Sequence, residues 1–153
     1  MNSESQIRAG PSRSRPPRIL VVEADHPTSE SYRVGLSIAG FDVDCSRDGE
    51  EALARLITDG LPDVIVLDLG LPRVDTTRRR RDGFDLLDAL RASTLTDRLP
   101  ILAMSNDEGS LFEALHRGAS DCIPSQIATS SLVRVVKDIV DDRIPKGWIP
   151  VDE

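Results

Sequence analysis

Pro62-Asp63-Val64-Ile65-Val66-Leu67-Asp68-Leu69-Gly70-Leu71-Pro72 is the stretch on which the fold turns. Four apolar residues, three of them β-branched, deliver an aspartate to a Gly/Pro turn. A short apolar run bounded by turn residues reads as a strand buried on both faces, the kind found inside parallel sheets. An aspartate closing such a strand lies at the carboxyl edge of the sheet, where open α/β folds place their chemistry.

Outward from this strand the pattern repeats. Ile19-Leu20-Val21-Val22 is a second buried strand, ending in Glu23-Ala24-Asp25. The helix after it carries Tyr32, Leu36 and Ala39 at helical spacing and stops at Gly40. Phe41, Val43 and Cys45 alternate with Asp42 and Asp44, which predicts a more exposed strand. Asp48 and Glu51 open the next helix in capping-box spacing, and Leu53, Leu56 and Ile57 are its expected apolar face. A third helix is expected from about Asp82, with Phe84, Leu87 and Leu90 inward. Ile101 to Met104 form a fourth strand ending in Ser105. A helix with Leu111 and Leu115 follows and stops at Gly118. Asp121-Cys122-Ile123 is a fifth strand, and Leu132, Val135, Val136 and Ile139 mark the last helix. Five strand–helix units predict a doubly wound, flavodoxin-like (βα)5 sandwich around a five-stranded parallel sheet. The domain is expected over residues 18–142, with loose tails at 1–17 and 143–153.

Composition narrows the function. The chain has 153 residues and is 39% hydrophobic, enough for one domain with a real core. Aromatics are only 3%, so Leu, Ile, Val and Ala must build that core. A net charge of −7 argues against a general nucleic-acid binder. Cys45 and Cys122 form neither a metal spacing nor a disulfide framework, which fits a reducing cytoplasm. No apolar run approaches the roughly 20 residues that span a bilayer. The glycines lack dinucleotide-fingerprint spacing, which argues against a nucleotide-binding enzyme.

The strand ends collect Glu23, Asp25, Asp68 and Ser105. Clustered carboxylates repel one another and invite a hard cation such as Mg²⁺. Screened by it, Asp68 would attack phosphorus as a nucleophile, and the Ser105 hydroxyl would donate to a phosphoryl oxygen. Each residue alone also reads as a polar strand terminus or a helix cap.

The chain resembles the receiver domains of two-component response regulators. The resemblance rests on Ile19 to Glu23, Gly40 to Val43, Asp48 to Leu53, Pro62 to Pro72, Asp82-Gly83-Phe84-Asp85-Leu86-Leu87, Pro100 to Ser105 and Gly118 to Asp121. It implies that Asp68 is the phosphoacceptor, that Ser105 is the switch hydroxyl, and that the Gly70 carbonyl faces the metal. It also implies a histidine kinase or phosphotransfer protein as donor. Only a short segment follows the last helix. Output is therefore expected through a protein contact of the fourth-to-fifth-helix face, where a homodimer would also form, and not through an enzymatic or DNA-binding domain.

Several positions depart from the family. Two acids usually follow the first strand; without gaps they fall on Glu23 and Ala24, and only a one-residue shift brings in Asp25. The family's lysine is replaced by Ser125, the proline after it by Gln126, and the aromatic switch residue by Cys122. These losses leave a second reading open: a pseudo-receiver scaffold whose Asp68 is not phosphorylated. An insertion relative to the family carries Arg78, Arg79, Arg80 and Arg81. It reads as a solvated loop, a docking loop for an acidic or phosphate-bearing partner, or a substitute for the lysine.

Overall fold

The computed structural model describes residues 15–71 and 83–142. Arg78 to Arg81, Asp82, residues 1–14 and residues 143–153 lie outside the described residues. Ten elements alternate along the chain: β1 (Arg18–Val22), α1 (His26–Ile38), β2 (Asp42–Ser46), α2 (Gly49–Asp59), β3 (Val64–Asp68), α3 (Gly83–Ala92), β4 (Ile101–Ser105), α4 (Glu108–His116), β5 (Asp121–Pro124) and α5 (Thr129–Asp141). The strands form one parallel sheet in the order β2-β1-β3-β4-β5, as the alternation predicts.

β3 is the middle strand, so its run Val64 to Leu67 is buried on both faces. Strand side chains alternate, and the two faces feed two cores. Ile65 and Leu67 join Leu20, Val22 and Ala103 beneath Ala52, Leu56, Leu86, Leu87 and Leu90 of α2 and α3. Val64 and Val66 join Ile19, Val21, Leu102 and Met104 beneath Tyr32 and Leu36 of α1 and Leu132 and Val136 of α5. β2 lies at the sheet edge and is only partly buried, in keeping with its alternating pattern.

Three helices start on an aspartate whose carboxylate accepts a first-turn N–H: Asp25, Asp48 and Asp107. At α2, Asp48 accepts from the Glu51 N–H at 2.8 Å, and the Glu51 carboxylate accepts from the Arg47 N–H at 2.8 Å. Asp48→Ala is expected to cost about 1 kcal/mol, checked by urea unfolding, because the Glu51 N–H in the first turn loses its side-chain acceptor.

Ile57, expected on an apolar face, turns to solvent instead, and so do two other apolar helix residues. Ile57 is 85% exposed and Leu115 43% exposed, and Ala39 is the exposed C-cap of α1. Successive helical residues diverge by about 100°. Once Ala52 and Leu56 seat α2, Ile57 must point outward. In α4 the seat is Ala114, whose neighbour Leu115 rotates off the core.

Candidate functional site

The register sets which side chains meet at the carboxyl rim. Val22 pairs with Leu67, Asp68 with Met104, and Ser105 with Pro124. Glu23, the first residue after β1, is therefore level with Asp68, and Ser105 lies one residue further out on the neighbouring strand. Asp68 is half-buried at the end of the central strand. Its Oδ1 accepts from the Gly70 N–H at 3.0 Å, while the Leu69 N–H continues the ladder to the Met104 carbonyl at 2.9 Å. Gly70 lies in the exposed turn after β3.

Glu23 is 8% exposed, and its side chain lies against that of Asp68. Burial, first, pushes the Glu23 carboxyl up to about 7; the neighbouring Asp68 adds to the rise, and the Asp25 N–H on Glu23 Oε2 at 3.0 Å opposes it.

Asp25 does not join them. Its carboxylate turns to the first turn of α1, accepting from the Thr28 N–H at 3.1 Å and the Thr28 hydroxyl at 2.5 Å. The Thr28 hydroxyl, and then its amide, hold this carboxyl below the usual aspartate range. Ala24 packs its methyl group against the α2–α3 core. Glu23 and Ala24 are thus the two residues between β1 and the capping Asp25.

Among the described residues no group of three or more His, Cys, Asp or Glu side chains could hold a metal ion. The donor set fits a looser arrangement. Mg²⁺ commonly takes one or two carboxylates and keeps several waters. Glu23 and Asp68 can supply that pair.

Ser105 is half-buried, and its Oγ accepts from the Asp107 N–H at 3.0 Å, leaving the hydroxyl proton free to donate elsewhere. The Ser125 N–H extends the β4–β5 ladder to the Ser105 carbonyl at 3.1 Å, and Ser125 Oγ donates to Asn106 Oδ1 at 2.6 Å. Gln126 has a positive φ of 64°, and the described peptides are all trans. Cys122 packs against the α2–α3 core, and burial pushes its thiol up.

Sequence reasoning missed three residues here. Tyr32, expected only as part of an apolar face, is 3% exposed, and its hydroxyl oxygen accepts from the backbone of Gln126. Burial, then the charges of Glu23 and Asp68, push this phenol up. Asn106 bridges two loops, and Gly83 packs on the backbone of Asp68 and Leu69. Tyr32 is the single tyrosine of the chain, a signal that was present but mute about where its hydroxyl points.

A family model described as the response regulator receiver domain matches residues 19–137. The response regulator MprA of Mycolicibacterium vanbaalenii is 34% identical over 132 residues, 85% of this chain and 53% of that protein. The chain spans about half the length of the curated relatives it matches. Among solved structures, the Francisella response regulator 1452 receiver domain superposes with a TM-score of 0.70 at 26% identity, covering 83% of this chain and 98% of that one. The receiver domain of NtrX from Brucella abortus does so with a TM-score of 0.69 at 26% identity, covering 80% and 98%. No helix among the described residues is long and apolar enough to cross a membrane.

Proposed function

The chain belongs to the response regulator receiver domain family, and on that premise we propose that it accepts a phosphoryl group on Asp68 from a histidine kinase or a phosphotransfer protein. The observation that carries this reading is the half-exposed Asp68 at the end of the central strand, with Glu23 against it and Ser105 ending the adjacent strand. A carboxylate oxygen of Asp68 attacks phosphorus. An O–P bond forms, the P–N bond of phosphohistidine breaks, and the released imidazole nitrogen takes up a proton. The Ser105 hydroxyl proton, not consumed by its own loop, donates to a phosphoryl oxygen.

Glu23 and Asp68, with the backbone of Gly70, are the groups for Mg²⁺, which when bound neutralises phosphoryl charge. The phosphoryl group brings about −1.5 to −2 charges, and Ser125 offers no cation to meet them. One missing charge-assisted contact is worth about 1.5–3 kcal/mol, so phosphorylation should run roughly 10- to 100-fold slower than with a lysine present. Output passes through protein contacts of the α4–β5–α5 face, where Phe112 is 71% exposed and Leu115 is half-exposed, and where a second copy would also dock. The free thiols of Cys45 and Cys122 fit a cytoplasmic setting.

The pseudo-receiver reading draws on Ala24 and on the helix-capping of Asp25, which leave two carboxylates where the family has three. Incubation with phosphoramidate and Mg²⁺, followed by intact mass, separates the two. The expected result is one phosphoryl adduct, lost in Asp68→Asn. A chain that never gains mass would be a scaffold.

A further inference from the structure

Behind Asp68, the strands β4 and β5 leave the sheet together. Ser105 pairs with Pro124, and the Ser125 N–H reaches back to the Ser105 carbonyl at 3.1 Å. Asn106 and Ser125 are thus the first residues beyond two adjacent strands, on the same rim as Asp68. Their side chains meet: Ser125 Oγ donates to Asn106 Oδ1 at 2.6 Å. The loop beneath is fixed as well. Ser105 Oγ accepts from the Asp107 N–H, and Asp107 caps α4 through the Ser110 N–H at 2.9 Å.

A primary amide has one acceptor oxygen and an NH₂ with two donors on the far side of a rigid plane. With its oxygen taken by Ser125, the Asn106 amide is held by that edge and keeps both N–H donors for another partner. Asn106 is exposed, so an arriving anion can reach it. No described residue immediately following β3, β4 or β5 is cationic: these are Leu69 to Leu71, Asn106 and Asp107, and Ser125 to Ala128. Lys137, the one lysine among the described residues, lies in the second half of α5, which runs back from the rim.

We propose that the side-chain amide of Asn106, oriented by Ser125, is the donor that meets the phosphoryl group on Asp68 in place of a cation. The inference rests on Asp68 being the phosphoacceptor. It assigns Ser125 a positioning role, acting only through Asn106. A neutral donor contributes about half the strength of a charge-assisted contact, so the site works slowly but is not without help.

The test is the rate at which the full chain gains a phosphoryl group from phosphoramidate at fixed Mg²⁺, followed by intact mass. Asn106→Ala should slow it about tenfold and Ser125→Ala about threefold. The double variant should be no slower than Asn106→Ala alone, because a residue acting through another adds nothing once that other is gone. Ser125→Lys placed in the Asn106→Ala chain should restore the rate. Melting temperatures should stay within about 2 °C of the parent, since both side chains are on a solvated rim. Asn106→Ala at the parent's rate, or two effects that simply multiply, overturns the assignment while leaving Asp68 as phosphoacceptor. A parent chain that gains no mass overturns both.

Discussion

Gly83→Ala should destabilise the domain by about 3 kcal/mol, a drop of roughly 10 °C in Tm, and should impair phosphorylation of Asp68 in the molecules that remain folded. On helix propensity alone the change would stabilise, because alanine is better than glycine in a helix by up to about 1 kcal/mol. Packing reverses the sign. A Cβ on Gly83 would lie 2.4 Å from Leu69 Cα, 2.7 Å from the Asp68 carbonyl oxygen and 3.0 Å from the Leu69 carbonyl carbon. All three are backbone atoms of the strand end that presents Asp68, and backbone cannot step aside as a flexible side chain would. Either α3 lifts off Leu67, Leu69 and Leu71, or the turn carrying Asp68 shifts. Gly109→Ala is the matched control: it sits in α4, and its Cβ would meet only Asp107 Oδ2 at 3.4 Å. It should be neutral or slightly stabilising. Urea unfolding followed by circular dichroism measures both. A Gly83→Ala chain as stable as its parent would mean that α3 does not abut the Asp68 turn.

Glu23→Gln should raise stability at pH 8 and leave it nearly unchanged at pH 4. Burial pushes the Glu23 carboxyl up from 4.5 to about 7 in the folded chain. Between those values the folded state binds more protons than the unfolded state, so stability falls as pH rises through this window. Below 4.5 both states hold the proton and the term is absent; above 7 it is felt in full. Glutamine keeps an acceptor for the Asp25 N–H and a donor for Asp68, but never has to ionise. After allowance for solvent screening, the gain at pH 8 should be about 1–2 kcal/mol. Millimolar Mg²⁺ should narrow the gap by stabilising the parent, since the ion favours the ionised carboxylate pair. Equal melting curves at pH 8 would show that Glu23 ionises without strain.

Much of the domain was legible before any coordinates. Apolar runs at Ile19 to Val22, Val64 to Leu67 and Ile101 to Met104 are the three inner strands, and Asp68 closes the middle one. Asp48 with Glu51 marked a helix start, and Gly40 and Gly118 marked helix ends, both with positive φ. The error has one cause. A helical repeat locates an apolar face only to within one residue, so Ile57 was taken inward while Ala52 and Leu56 did the seating.

From its residues alone the chain declared a five-strand parallel sheet and the aspartate at its centre, because strand length, side-chain alternation and turn chemistry are written locally. Whether Asp25 serves the rim or caps a helix, whether Ser125 reaches Asn106, where the Tyr32 hydroxyl ends, and what presses on the Asp68 turn were decided by tertiary structure. Those contacts join segments far apart in sequence, and only the register of neighbouring strands and the seating of helices on them bring such atoms within a few ångströms.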